Sequence, residues 1–221
     1  KDPHSIQTAL ICLENTHNAG GGTIYPLSTI ERIRAVASAH GVPMHLDGAR
    51  LFNAVAATTL PPAAYSQHLE TVSVCLPKGL GAPAGSLLLT NDPAMMERAR
   101  RFRRMYGGAM RQAGVLAAAG LYALEHHVAR LKDDHENAKR LARKLQQIPA
   151  VSINPQHVDT NIVIFDVSGD RLSAPAVVGG LKQEGVLINP TGGCSFRAVT
   201  HLDVSTKQID AAVEAFARVL R

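Results

Sequence analysis

Apolar and polar positions follow two different periods along this chain, and the changes of period mark its elements. Residues 8–14, TALICLE, form a short continuous apolar run closed by a polar turn, the pattern of a fully buried strand. The loop NTHNAGGGTIYP follows, and its consecutive glycines permit positive φ and close backbone approach. Ser28 or Thr29 can cap a helix whose apolar stripe is Ile30, Ile33, Val36 and Ala37, with Gly41 as its end. Residues 43–47, PMHLD, are the next strand, on which His45 faces away from Met44 and Leu46. A strand, a helix and a strand in this order predict a parallel sheet.

Residues 49–56 begin another short helix, which the Pro61-Pro62 pair interrupts. Residues 71–75 read as a strand leading to Lys78, and residues 86–89 as one leaving it, with Gly79, Gly81, Pro83 and Gly85 reversing the chain between them. Helices are expected from Pro93 to about Tyr106, from about Met110 to His127, and from about Asp133 to Gln147, the last with Leu141 and Leu145 on its apolar side. Beyond Pro149 the elements shorten. Residues 151–153, 161–167, 186–188 and 195–199 read as strands, and 175–183 and 205–220 as helices. The expected fold class is α/β: a mainly parallel large-domain portion over residues 1–130, then a small C-terminal α+β domain with its linking helix over 131–221.

Composition narrows the function classes. The 221 residues, 46% hydrophobic and 19% charged, suffice for one sizeable core or for a domain plus a smaller one. No apolar run approaches the ~18 residues of a membrane-spanning helix, so no membrane partner is expected. The net charge of +5 is partly gathered in Arg98, Arg100, Arg101, Arg103 and Arg104, a basic helix face. With only 4% aromatic residues to stack on bases, nucleic-acid binding is not expected. Cys12, Cys75 and Cys194 are widely spaced and read as buried small apolar residues in a reducing, cytoplasmic compartment, without a disulfide frame or a zinc site. The polar start, Lys1-Asp-Pro-His, lacks a signal peptide and an initiator methionine, which suggests that processing or a cut defines it.

The chemistry is concentrated between Met44 and Gly85. Asp47 ends an apolar strand, where ligands of open α/β sheets bind, and Arg50 lies three residues on. Lys78 stands in an apolar, glycine-bounded turn, whereas Lys132, Lys139, Lys144 and Lys207 lie in polar helical patterns. Pyridoxal phosphate requires such a trio: a lysine amine for its Schiff base, a carboxylate against its pyridinium nitrogen, and an arginine for a substrate carboxylate. Each residue has a plainer reading. Asp47-Gly48 is also a common turn signal, and Lys78 could be a solvated turn lysine.

Arg111 and Arg197 are further candidates. Arg111 falls near the start of a helix, where a cation is unusual unless it faces an anion, and Arg197 lies inside the apolar strand pattern SFRAVT. A buried salt bridge is the competing account for each arginine. His4, His17 and His45 are candidate acid/base groups or structural histidines. The sequence has no GxGxxG after a strand, no P-loop, no HExxH and no convincing phosphate-binding loop, and no metal is expected.

Five segments, ICLENTHNAGG, HLDGARLFNA, CLPKGLGAPAGS, RRMYGGAMRQAG and FRAVTHLD, occur in an order that resembles the low-specificity L-threonine aldolases, pyridoxal-phosphate enzymes of the aspartate-aminotransferase-like fold, aminotransferase fold type I. The resemblance covers essentially the whole chain. It implies that Lys78 is the Schiff-base lysine, Asp47 the ring-nitrogen partner and Arg111 a cofactor-phosphate arginine from a neighbouring subunit. It implies Arg50 and Arg197 as substrate-carboxylate arginines, and His4 as an active-site histidine near the substrate hydroxyl. The implied reaction cleaves L-threonine, L-allo-threonine or a related β-hydroxy-α-amino acid to glycine and an aldehyde.

Family members are longer, so an N-terminal polypeptide segment, as a separate or clipped chain, and a dimer or tetramer of such units are expected partners beside the amino-acid substrate. Pro77 departs from the serine usual before the lysine, and proline offers neither hydroxyl nor N–H. β-Elimination or transamination on the same scaffold, and a non-catalytic fragment or assembly subunit, are the alternatives.

Overall fold

A computed structural model describes residues 6–169 and 172–221. Two compact units emerge: Tyr25–Ala129 with the chain up to Thr16, and Arg130–Arg221 with the loop His17–Ile24. That glycine loop groups with the second unit, an arrangement that contiguous domains 1–130 and 131–221 do not express.

In the first unit, β1 (Ile11–Glu14), α1 (Leu27–Ala39), β2 (Met44–Asp47), α2 (Leu51–Thr58), α3 (Pro62–Ser66), β3 (Thr71–Cys75), β4 (Ser86–Leu89), α4 (Pro93–Met105) and α5 (Gly114–His126) succeed one another. The sheet order is β1-β2-β3-β4. The first three strands are parallel, with Glu14 beside Asp47 and Asp47 beside Ser73; β4 runs antiparallel to β3, Cys75 beside Ser86. Alternation holds on β2, where Met44 and Leu46 are fully buried and His45 is half-buried, its Nδ1 2.7 Å from Thr71 Oγ1. Glu70 ties the layers below: one carboxylate oxygen accepts from Arg34 of α1 at 2.6 Å and the other from the Met44 N–H at 2.6 Å.

Several expectations are corrected. The first strand begins at Ile11, and within it only Leu13 is buried, because β1 is an edge strand among the described residues. The N-cap of α1 is Pro26 and no side chain caps it; Ser28 and Thr29 lie inside the first turn. Cys12 is exposed on that edge strand, while Cys75 and Cys194 are half-buried; all three are free thiols.

The second unit contains α6 (Leu131–Leu145), β5 (Val151–Ser152), a 3-10 turn (Pro155–His157), β6 (Ile162–Val167), α7 (Ala174–Gln183), β7 (Asn189–Gly192), β8 (Ser195–Val199) and α8 (Thr206–Val219). Its sheet, order β5-β6-β8-β7, is antiparallel throughout. The expected strand at 186–188 is not formed. Pairing with β8 instead begins at Asn189 and carries a bulge between Pro190 and Gly192. Phe165 stacks on Phe196 with ring centroids 5.8 Å apart and meets Phe216 of α8 edge-on at 5.5 Å. Leu141 and Leu145 of α6 complete this core, as their spacing predicted.

Candidate active site

The turn after β2 is built around a glycine. Asp47 Oδ1 accepts a hydrogen bond from the Ala49 N–H at 3.0 Å, and the Gly48 N–H donates to the Ser73 carbonyl of β3 at 2.8 Å. A Cβ on Gly48 would stand 2.7 Å from that same carbonyl, so no other residue fits. The Leu51 N–H then bonds the Gly48 carbonyl at 2.9 Å and α2 begins, with half-buried Arg50 at its N-cap position. Asp47 and Arg50 thus share one turn at the carboxyl edge of the sheet. The Asp47 carboxylate is exposed, and its Oδ2 accepts no hydrogen bond among the described residues.

Beside it, β3 runs into the lysine turn. The Leu76 N–H bonds the Gly85 carbonyl at 3.0 Å, the Ala82 N–H the Leu76 carbonyl at 3.1 Å, and the Gly81 N–H the Lys78 carbonyl at 2.8 Å. Gly81 and Gly85 have φ of 69° and 112°, in the region that favours glycine. Leu76, Leu80 and Ala82 point inward and are buried; Lys78 is half-buried and Pro77 exposed.

The structure adds two residues that the sequence reading passed over. Asn15 and Thr16 follow β1 at the same edge, with the Asn15 N–H bonded to the Asp47 carbonyl at 2.9 Å. Both are buried, yet Asn15 Nδ2 and Thr16 Oγ1 have no hydrogen-bond partner among the described residues. Left unmet, each such group costs about 1–3 kcal/mol. The run of polar residues directly after an apolar strand was the available signal.

The remaining candidates are more dispersed. Arg111 is exposed in the segment between α4 and α5 and makes no hydrogen bond among the described residues. Arg197, on β8 of the second unit, is half-buried and donates from Nη1 to Asn18 Oδ1 at 3.1 Å, a neutral partner where a structural salt bridge would show a carboxylate. His17 is half-buried in the glycine loop, its backbone N–H bonded to the Thr23 carbonyl at 2.9 Å. His45 is engaged by Thr71 across the sheet, the structural reading. His4 lies outside the described residues. Among those described, no group of three His, Cys, Asp or Glu could hold a metal ion, and no helix is long and apolar enough to cross a membrane.

A parallel sheet with an antiparallel last strand, polar chemistry at its carboxyl edge, and a separate antiparallel unit define the aminotransferase fold type I. Solved structures share it: a threonine aldolase of Leishmania major superposes with a TM-score of 0.80 at 20% identity, covering 100% of this chain and 64% of that one. A putative aromatic amino acid beta-eliminating lyase/threonine aldolase of Exiguobacterium gives 0.79 at 24%, covering 94% and 61%.

The chain belongs to the beta-eliminating lyase family, whose model matches residues 1–168. Among curated proteins it is 38% identical over 219 residues to a probable low-specificity L-threonine aldolase 2 of Arabidopsis thaliana, covering 99% of this chain and 61% of the relative. It is 41% identical over 208 residues to the low specificity L-threonine aldolase of Escherichia coli K12, covering 94% and 59%. The chain therefore spans about three-fifths of the length of these relatives.

Proposed function

We propose that this chain carries the cofactor-binding turns of a pyridoxal-phosphate-dependent aldehyde-lyase that cleaves L-threonine, L-allo-threonine or a related β-hydroxy-α-amino acid to glycine and an aldehyde. The observation that carries the reading is the shared edge. Asp47 and Arg50 lie on one turn, and that turn is hydrogen-bonded to the strand that leads into the Lys78 turn. The residues fit the cofactor: Lys78 offers the anchoring amine, the open Oδ2 of Asp47 a carboxylate for a ring nitrogen, and the buried orphans of Asn15 and Thr16 lack the partners that a polar ligand brings. Pyridoxal phosphate, when bound, supplies the electron sink that makes a Cα–Cβ bond breakable.

The protein's own share is binding, orientation and proton handling. Arg50 holds the substrate carboxylate with two parallel hydrogen bonds, which fixes the torsion about Cα. Asp47 keeps a proton on the ring nitrogen by its negative charge. By the family resemblance, Arg197 is a second carboxylate-binding arginine, and Arg111 one for the phosphate. His4 receives the β-hydroxyl proton as the Cα–Cβ bond opens to the aldehyde, and a proton returns to Cα to give glycine.

Replacing Lys78 by Ala is expected to lower cofactor-dependent cleavage by ~10³-fold, in line with loss of a group acting directly on the reacting atoms. Retention of cleavage in that variant would sink the reading. Product analysis separates the second reading, which the family's name favours: glycine plus aldehyde marks the aldolase, a 2-oxo acid plus ammonia marks β-elimination.

Both β1 and β4 are edge strands among the described residues, and Leu87, Leu88 and Leu89 are 38–46% exposed. We infer an N-terminal polypeptide segment, as a separate or clipped chain, that covers these edges, in a dimer or tetramer of such units. The three free thiols suit a reducing, cytoplasmic location. Intact mass and light scattering of the purified protein test the assembly; a compact lone chain would count against it.

A further inference from the structure

The lysine turn is fastened to α5 at two points. Nδ1 of His127, the residue that ends α5, lies 2.6 Å from the Leu80 carbonyl oxygen. A carbonyl only accepts, so in the neutral ring Nδ1 carries the proton and Nε2 is the acceptor. Farther back on the same helix, Leu76 Cδ1 approaches Gly120 so closely that a Cβ there would stand 2.9 Å away. Leu76 and Leu80 bracket Lys78 in sequence, and both are buried, at 5% and 3% exposure. The His127 ring is itself braced, since Tyr122 meets it at close to a right angle with centroids 5.5 Å apart.

Resting on the reading of Lys78 as the anchoring lysine, we propose that His127 is a positioning residue: its bond to the Leu80 carbonyl holds the backbone of the lysine turn and so sets the direction in which the Lys78 amine projects. The turn needs such a hold. Gly79, Gly81 and Gly85 give it more backbone freedom than any other residue type would, and a long lysine side chain magnifies each backbone rotation at its amine. The internal bond from the Gly81 N–H fixes the Lys78 carbonyl from within, and His127 fixes the next carbonyl but one from outside. Imidazole donates from Nδ1 whether the ring is neutral in this tautomer or protonated, so the hold does not depend on its charge.

The chemistry indicates two informative replacements. Asparagine places an N–H the same number of bonds from the backbone as histidine Nδ1, so His127→Asn preserves the donor. His127→Leu fills much of the space and offers none.

The test uses the full protein freed of cofactor. Pyridoxal phosphate is added, capture on Lys78 is quenched with borohydride at timed intervals and read by peptide mass, and visible circular dichroism and thermal midpoints are recorded on the same samples. In the unsubstituted protein the label must fall on Lys78; a label elsewhere ends the reading of Lys78, and this inference with it, before any variant is compared. With the label on Lys78, His127→Leu is expected to slow capture by ~10-fold to 100-fold, the scale of a small misplacement of a reacting group, and to weaken the cofactor's circular dichroism. His127→Asn is expected to stay within about twofold of the parent, because the donor persists.

Equal capture by the leucine variant and the parent overturns the inference, and so does equal impairment of both variants, which would make the ring's bulk the cause. Should the leucine variant not fold, the ring nitrogen chemical shifts of His127 in the unsubstituted protein decide. A proton on Nδ1 is required, and the Nε2–H tautomer overturns the proposal.

Discussion

His135 shows what one buried ring does to the whole protein's response to acid. It lies on α6 at 4% exposure; burial, and then the nearby Lys139 charge, push its pKa from 6.5 to about 4, with Glu136 acting weakly in the opposite sense. The folded state therefore binds fewer protons than the unfolded state between these two values. Stability is complete above pH 6.5 and declines as the pH falls towards 4. The loss is on the order of 2 kcal/mol, and urea unfolding at pH 7 and pH 4.5 should register it. His135→Gln removes the titrating group and should flatten the dependence in that window. A slope unchanged by the substitution would assign the acid response to other groups.

At the scale of elements, the second unit is held by an aromatic cluster and an ionic clasp between α6 and α8. Arg140 donates from Nε and Nη2 to the two oxygens of Asp210 at 2.7 and 2.8 Å, and Lys144 adds a third contact at 2.6 Å. The hydrogen bond from Arg140, then that from Lys144, holds the Asp210 carboxyl well below the usual carboxylate range. This pairing is present above pH 3.8 and is lost as acid protonates the carboxylate, so its window lies below that of His135. The cluster of Phe165, Phe196 and Phe216 is the larger contribution, since all three rings are at most 2% exposed. Truncation of Phe216 to alanine is expected to cost ~3–5 kcal/mol, through lost burial and the cavity left between α8 and the sheet. Denaturant titration would read it as a lower midpoint, and a loss below about 1 kcal/mol would mean that α8 closes over the gap.

The whole molecule is less finished on its surface than in its cores. No residue of α4 is buried, although the helix carries Phe102 and Met105 among its arginines, with Tyr106 just beyond, and these three are 43%, 63% and 82% exposed. The β4 edge adds exposed leucines, and an exposed apolar edge strand invites pairing with another chain. Leu88→Lys places a charge on that edge and is expected to lower association of the protein. Light scattering across a concentration series would show a smaller mean mass than for the parent; an unchanged mass would direct attention to α4. Leu88 pairs in register with Ser73, whose carbonyl accepts the Gly48 N–H of the Asp47 turn, so cofactor capture is recorded on the same samples.

The amino-acid sequence by itself determined most of the order of elements, though not the helix Pro62–Ser66, and it determined the mainly parallel first sheet and the placing of Asp47, Arg50 and Lys78 in turns at strand ends. Those features follow from hydrophobic period and turn chemistry, which act over a few residues. Only the tertiary structure decided which contacts those segments make. It grouped the loop His17–Ile24 with the second unit, moved a strand from 186–188 to Asn189–Gly192, and exposed Cys12 on an edge. It also buried Asn15 and Thr16 with unmet hydrogen-bonding atoms and brought the His127 ring against Leu80. Each of these depends on partners far apart in the chain, and a local pattern of residue types has no term for a hydrogen bond that closes between distant segments.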